Sequence, residues 1–564
     1  MSRISHKKKE SFISYCVCTL QYKATTNFGD HVAQFLPHAT TKLNRGDKGT
    51  FDQIRSWIKE CDCWHDNCVR RESELPVRLI DLAKFSAKEQ KLRLYIPREG
   101  EAGQYAALSY CWGYSQPVIT KDVNLLRHLR KISYDNLPQT LQDAIKTTKA
   151  MGIRFLWVDA LCIVQNSERD KQREIAKMAK IYQNAYFTIV AACSTSSAEG
   201  FLQVRDGLPP ALEIPVGCGD GKIGSLALLP TYESLRHEPL HERAWTLQEM
   251  ILSRRLLIFG KDSVGWKCEQ MDRRLYRWTD WNGYCASTGL TTIRFAPGGK
   301  IVRPSLSIYS ANISSFSNPS HLAERQPYIF RLWRDVVKDY STRLMTNEGD
   351  KLSAIAGIAA YFEGVMNDVY LAGLWARHLL QELSWHVYNA KRPARSRAPS
   401  WSWMALDGPV TFQTDHCEWY TPIVEVISCT VTPVSPTAPF SSVTGGALVL
   451  DGAFSSPISF LSRRRQLLAE ITDDFGMGGE PEILDGFGMD SDQEQDGNDL
   501  YMGIARCVAT AYYEEDVSVG RTSTWGLILR PLADSSSTSL VYERVGWFNT
   551  SVWNSGKRGA ITIV

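Results

Sequence analysis

No stretch of this chain approaches the ~20 consecutive apolar residues that a membrane-spanning helix requires, so no membrane partner is expected. Charge of one sign is also missing. Lys+Arg number 64 and Asp+Glu 61, a balance without the basic footprint of a nucleic-acid binder. Cysteine is sparse, 14 in 564 residues, far below the density of a disulfide scaffold. Cys162 and Cys193 sit inside apolar runs, where a thiol acts as a small hydrophobe. A reducing, cytoplasmic setting is expected. No G-x-G-x-x-G follows a strand pattern and no G-x-x-x-x-G-K-[ST] occurs, which excludes the usual dinucleotide fingerprint and the P-loop. Lys7-Lys8-Lys9 precedes an apolar run, Phe12–Leu20, but Ser14, Tyr15, Cys16, Cys18 and Thr19 interrupt it and no small-residue cleavage site follows. The pattern therefore does not read as a secretory signal.

What is present is globular in composition, with 44% hydrophobic and 22% charged residues, and long enough for roughly three or four units. Residues 1–50 read as a poorly ordered N-terminal segment and 51–100 as an extension. An α/β domain is expected over 101–270, a helical region over 271–410, and a β-rich region over 411–564 containing an acidic disordered loop at 473–499. Between 104 and 200 strand and helix patterns alternate. Tyr105–Tyr110, Phe155–Val158 and Tyr186–Ala192 read as strands. Residues 138–151 and 168–185 read as helices, the first opened by Pro138 and closed by Gly152. The fold class implied is α/β, a mainly parallel sheet with helices on both faces. Further helices are expected at Ile329–Arg343, Asp350–Phe362 and Leu371–Val387.

Three segments put small or polar residues where an apolar run ends: Tyr105–Gly113 (YAALSYCWG), Phe155–Gln165 (FLWVDALCIVQ) and Arg243–Glu249 (RAWTLQE). With LPQTLQDAI at 137–145 and REIAKMAKIYQNA at 173–185, they resemble the fungal heterokaryon-incompatibility (HET) domain. The resemblance runs on more loosely through Tyr340-Ser341, Asp350-Lys351-Leu352 and APSWSWMALDG at 398–408. It implies a cytoplasmic effector of fungal non-self recognition whose activation leads to growth arrest or programmed cell death. It also implies a remote TIR-like relationship, and with it NAD as a substrate rather than a bound cofactor. The partner implied is a protein, such as an allelic incompatibility protein, or a second copy through self-association. Two alternatives stand beside an NAD glycohydrolase: a signalling module with no chemistry, and a HET-like protein with another role in a metabolic cluster.

Asp159 follows Phe-Leu-Trp-Val at a strand end, where a carboxylate would face a crevice and could bind a ribose hydroxyl or a cation. Ser109, Trp112 and Gly113 line the loop after another strand and are candidates for binding the nucleotide. Glu174, flanking an apolar helical stripe, is the candidate catalytic carboxylate with Asp159. Cleavage of a nicotinamide–ribose bond passes through an oxocarbenium-like state that a carboxylate stabilises. Each has a structural reading too: a turn cap for Asp159, core for Trp112, a solvated ion pair for Glu174. Glu249 reads as one half of a buried tie to Arg243. Cys162, flanked by Leu161 and Ile163, reads as buried and inert. Cys61, Cys63, His65 and Cys68 form C-x-C-x-H-x₂-C. The donor types suit zinc, but the i,i+2 steps would point side chains to different faces of a helix. The expectation is no metal.

Overall fold

The computed structural model describes residues 45–276, 322–454 and 502–564 apart from short loops, together with isolated strands including Gln21–Thr25, Ile458–Leu461 and Gly486–Met489. Asp47 caps the first helix, α1 (Lys48–Trp64), by accepting from Thr50 N at 2.7 Å. Its Ile54, Trp57 and Ile58 are buried. The chain then lays down β1 (Leu79–Asp81), β2 (Lys91–Tyr95), β3 (Tyr105–Ser109), α2 (Asp122–Arg130), β4 (Ile132–Ser133), α3 (Gln139–Ala150) and β5 (Phe155–Trp157). The short α4 (Asp159–Cys162), α5 (Glu168–Ile175), α6 (Met178–Asn184) and β6 (Phe187–Val190) come next. Then come α7 (Ala244–Leu252), β7 (Arg255–Phe259), β8 (Ser263–Cys268) and β9 (Asp272–Tyr276).

The nine strands form one sheet in the order β9-β8-β7-β6-β3-β5-β1-β2-β4. The three strands expected from the sequence are adjacent and parallel: Ala107 pairs with Trp157 on one side, and Ala106 and Ser109 with Phe187 and Val190 on the other. β7 joins β6 in parallel. The sheet as a whole is mixed rather than mainly parallel, because β1, β2 and β4 add antiparallel strands on one side and β8 and β9 on the other. Short connections make hairpins, whereas a parallel return needs a long crossover. All five residues of β3 are buried, as a central strand covered on both faces requires.

Leu141, Ala144, Ile145 and Thr148 form the buried face of α3, and Gly152 ends it at φ +78°. The single helix expected over 168–185 is two, α5 and α6, with a turn at Ala176-Lys177. The break separates the polar ERDKQREI segment from the Met178, Ile181 and Tyr182 face that packs on the sheet.

α7 is the hinge of the architecture. Every residue in it is buried except the partly buried Trp245, as expected of a helix apolar nearly all round. On one side it covers the sheet. On the other, Ala244, Leu247, Ile251 and Leu252 enter a second core built by α8 (Leu322–Ser341), α9 (Lys351–Met366) and five buried tryptophans, Trp333, Trp375, Trp385, Trp401 and Trp403. The C-terminal β-sheet closes this second core with Leu448, Leu450, Trp525, Leu527 and Ile561.

Three sequence expectations need correction. Leu371–Val387 is not one helix: only its middle is helical, a 3-10 turn Ala376–His378 running into the short helix Leu379–Glu382. Ala372 and Gly373 take positive φ (45° and 106°) in the tight turn of a hairpin, Tyr370–Leu371 with Leu374–Trp375, and a strand Trp385–Val387 follows. Part of 1–50 is structured, since Gln21–Thr25 pairs with Ile223–Thr231 and α1 begins at Lys48; most of the remainder lies outside the described residues. Within 473–499, Gly486–Met489 is a strand paired with Val541–Thr550, and the rest lies outside the described residues.

α9 approaches α6 and α7 through Gly357. A Cβ there would lie 2.5 Å from Ala179 Cβ and 2.6 Å from Gln248 Oε1, and Gly357 N donates to that oxygen at 2.8 Å. In the same helix Gly364 has nothing within 4 Å of its would-be Cβ. Gly→Ala in a helix interior ordinarily stabilises by up to ~1 kcal/mol. Gly364→Ala should therefore raise the unfolding free energy by about 0.5–1 kcal/mol, while Gly357→Ala should lower it by about 1–3 kcal/mol through overpacking. Urea titrations of the two variants test the contrast; equal effects would mean that the helix does not seat against α6 and α7 here.

Candidate functional site

The chain leaves β3 toward β5 but leaves β6 toward β7, so the C-terminal ends of adjacent strands β3 and β6 open between diverging connections. Ligands bind at such a switch point in α/β sheets. The loops after the two strands touch across it. Ser197 N donates to Trp112 O at 3.3 Å, and Gly113, at φ +81°, lies so close that a Cβ would sit 2.6 Å from Ser196 Cβ. Only glycine meets both the backbone angle and the contact.

Four segments converge here. β3 ends at Ser109, whose Oγ donates to Glu249 from α7, and both side chains are buried. β5 leads into α4, whose first residue Asp159 accepts from Ala160 N at 2.7 Å and from Trp112 Nε1 at 2.9 Å. Arg243, at the N-terminal boundary of α7, donates to Tyr110 O at 2.8 Å. Tyr182 of α6 donates to Leu108 O at 3.1 Å beneath them. Asp159, Trp112 and Arg243 are partly exposed and Gly113 is exposed, so the cluster opens to solvent on their side.

The electrostatics follow from two carboxyls in a half-dry crevice. Burial pushes Glu249 up to about 7; the charge of Asp159 pushes the same way, and the Ser109 hydrogen bond and Arg243 oppose it. Burial also raises Asp159 above the ordinary carboxylate range, against its hydrogen bonds and Arg243. Shifted carboxyls of this kind occur at functional sites and in buried structural networks alike. Burial pushes the Cys162 thiol up to about 12, in keeping with an inert side chain.

The sequence candidates divide accordingly. Ser109, Asp159, Trp112 and Gly113 come together. Glu174 is buried, but its carboxylate is held by Arg173 at 3.0 Å in a chain that continues through Asp170 to Arg78, whereas Glu249 is the carboxyl bonded to Ser109. The sequence alone reads Glu249 as a tie to Arg243. The signal for its contact with Ser109 is its place inside a helix with almost no polar face, where a lone carboxyl needs a destination. The Cys-rich segment also differs from expectation. Cys63 is exposed, while Cys61, His65 and Cys68 gather with Cys268 from the end of β8.

The fold and site define an α/β domain with a carboxylate-bearing crevice at its switch point. Residues 105–249 match the family model described as heterokaryon incompatibility protein (HET). The matched segment runs from the first residue of β3 to Glu249 itself, about a quarter of the chain, and this HET-like segment supports a role related to heterokaryon incompatibility in general. Comparison with curated proteins and with solved structures gives no match.

A carboxyl whose folded pKa exceeds its unfolded value binds more protons when folded, so it costs stability as pH rises between the two. For Glu249 that window runs from 4.5, the ordinary glutamate value, to about 7. Below it no penalty applies; above it the penalty is complete. Glu249→Gln keeps an acceptor for Ser109 and removes the charge. The variant should match the wild type near pH 4.5 and be more stable at pH 8, by on the order of 1–3 kcal/mol. Denaturant titrations across that range measure the difference; a variant less stable at pH 8 would show that Glu249 is ionised and well compensated.

Proposed function

We propose that this protein is an effector of heterokaryon incompatibility that cleaves the nicotinamide–ribose bond of NAD in the Asp159–Glu249 crevice. The observation carrying the reading is the pairing of these carboxyls beside Ser109 and Trp112 at the strand ends. Asp159, the more accessible of the two, faces the ribose and stabilises positive charge as it develops at C1′. The C1′–N bond breaks, and its electron pair neutralises the pyridinium nitrogen, so nicotinamide departs without a general acid. Water then attacks C1′ and gives up a proton to the crevice. Glu249 orients Ser109 and tunes the charge on Asp159 from beneath. Arg243, partly exposed at the mouth, supplies a fixed cation for the pyrophosphate. Trp112 offers its ring as a wall while its indole N–H fixes Asp159.

A second reading is a module that signals by self-association without chemistry. It draws on Val123 and Leu126, three residues apart on α2 and 90% and 71% exposed. One experiment separates the two. Purified protein, dilute and in crowded solution, is incubated with NAD and assayed for nicotinamide. The hydrolase reading expects release, cut about 100-fold or more in Asp159→Asn, with Glu174→Gln retaining most activity if the fold is intact. No release under either condition leaves self-association as the function, and loss in Glu174→Gln alone would move the catalytic carboxylate to α5.

A further inference from the structure

A second cluster of reactive side chains lies away from the crevice, where α1 meets the edge of the sheet. Cys61 sits in the last turn of α1, His65 is its C-terminal cap, Cys68 lies in the next turn, and Cys268 ends β8. One donor atom from each lies within 4.8 Å of every other. His65 Nδ1 and Cys268 Sγ are 3.4 Å apart. Cys61, Cys68 and Cys268 are buried, at 0%, 5% and 2% exposure, and carry thiols rather than disulfides.

We propose that Cys61, His65, Cys68 and Cys268 bind a zinc ion that clamps the N-terminal helix to the sheet. The donor set is three sulfurs and one imidazole, which zinc takes tetrahedrally in structural sites. The spacing suits one ion: bonds of about 2.0–2.3 Å place neighbouring donors roughly 3.3–3.8 Å apart, so binding draws the four atoms slightly inward. Four donors from the protein leave no open position for a substrate, which makes the site structural rather than catalytic.

The sequence expectation of no metal rests on a different set of four side chains. As four near neighbours, Cys61, Cys63, His65 and Cys68 have i,i+2 steps that cannot meet at one point on a helix. The structure drops Cys63, which faces solvent, and keeps Cys61 and His65, which are i,i+4 and share a helix face. Cys68 N donates to His65 O at 2.9 Å in the turn that brings the third donor back. The fourth donor, Cys268, comes from a distant part of the chain, so no spacing motif could show it.

The surroundings are built to match. Three thiolates and one Zn²⁺ leave a net negative charge, and the buried Arg255 of β7 lies beside it. Its guanidinium donates to Cys68 O, pairs with Asp62 at 2.8 Å, and stacks 4.9 Å from the Tyr186 ring. Tyr186 in turn donates to Asp62. This outer layer holds the loop after α1 in place and supplies the compensating cation.

The test uses the full chain, purified without chelator from zinc-supplemented medium. Plasma mass spectrometry should find about one zinc per chain, kept through dialysis. Cys63→Ser should keep it, and Cys268→Ser should lose it. Should Cys268→Ser fail to fold, cobalt exchange into wild-type protein remains. A tetrahedral, thiolate-rich cobalt centre gives intense visible absorption with sulfur-to-cobalt charge transfer, and Cys63→Ser should give the same spectrum. Folded wild-type protein that holds no zinc and gains no cobalt bands would overturn the proposal. So would a disulfide among these cysteines under non-reducing alkylation, or equal zinc content in wild type and Cys268→Ser.

Discussion

Glu249 reaches Ser109 because the helix that carries it, Ala244–Leu252, has no solvent side. One surface of that helix lies on the parallel strands, and the other lies in the tryptophan-rich core of the helical region. A carboxyl on such a helix has only other protein groups to face, and the hydroxyls of Ser109, at the end of the central strand, and Tyr182 are donors within reach. The same burial ties the α/β domain to the helical region. Arg343, in the segment after α8, donates to Thr246 Oγ1 at 3.3 Å while paired with Asp339. The crevice therefore rests on packing from both halves of the chain, and a disturbance in the helical region has a direct route to Glu249.

The crevice is held against its own electrostatics. Two carboxyls, both raised by burial, share one guanidinium that also serves a backbone carbonyl. A site selected for stability alone would place an amide or an apolar side chain at one of these positions. The surrounding core is large enough to carry the cost: Trp157 and Tyr182 are buried beside the strand ends, in an edge-to-face contact at 5.5 Å.

Local features of this arrangement are legible directly in the sequence. Tyr105–Ser109, Phe155–Trp157 and Phe187–Val190 are short, largely apolar runs alternating with helix patterns, and such a run buried on both faces reads as a central strand. Pro138 and Gly152 bracket a helix by their backbone angles alone. Asp159 stands out by its place directly after such a run. The features that escape sequence reading depend on contacts between distant segments. The antiparallel strands flanking the sheet are set by pairing partners, not by their own residues. Ala372-Gly373 is compatible with a helix until the positive φ of both residues places them in a turn. Glu174 and Glu249 both lie on helices beside apolar residues, and only the packing shows which one faces Ser109.

The two clusters mark opposite demands on the same sheet. Around Asp159 the protein keeps two carboxyls near one another, Glu249 buried and Asp159 partly exposed, at some cost in stability. Around Cys268 the side chains converge in a closed set at the end of a strand in the same sheet, next to β7, which comes directly after α7. Arg255 begins β7 and contacts the Cys68 carbonyl, while a few residues earlier in the chain Leu252 ends the helix carrying Glu249. A clamp fixing that end of β7 also fixes the C-terminal end of α7. The cysteine cluster and the Glu249–Ser109 contact are thus joined in the chain through the short link between Leu252 and Arg255.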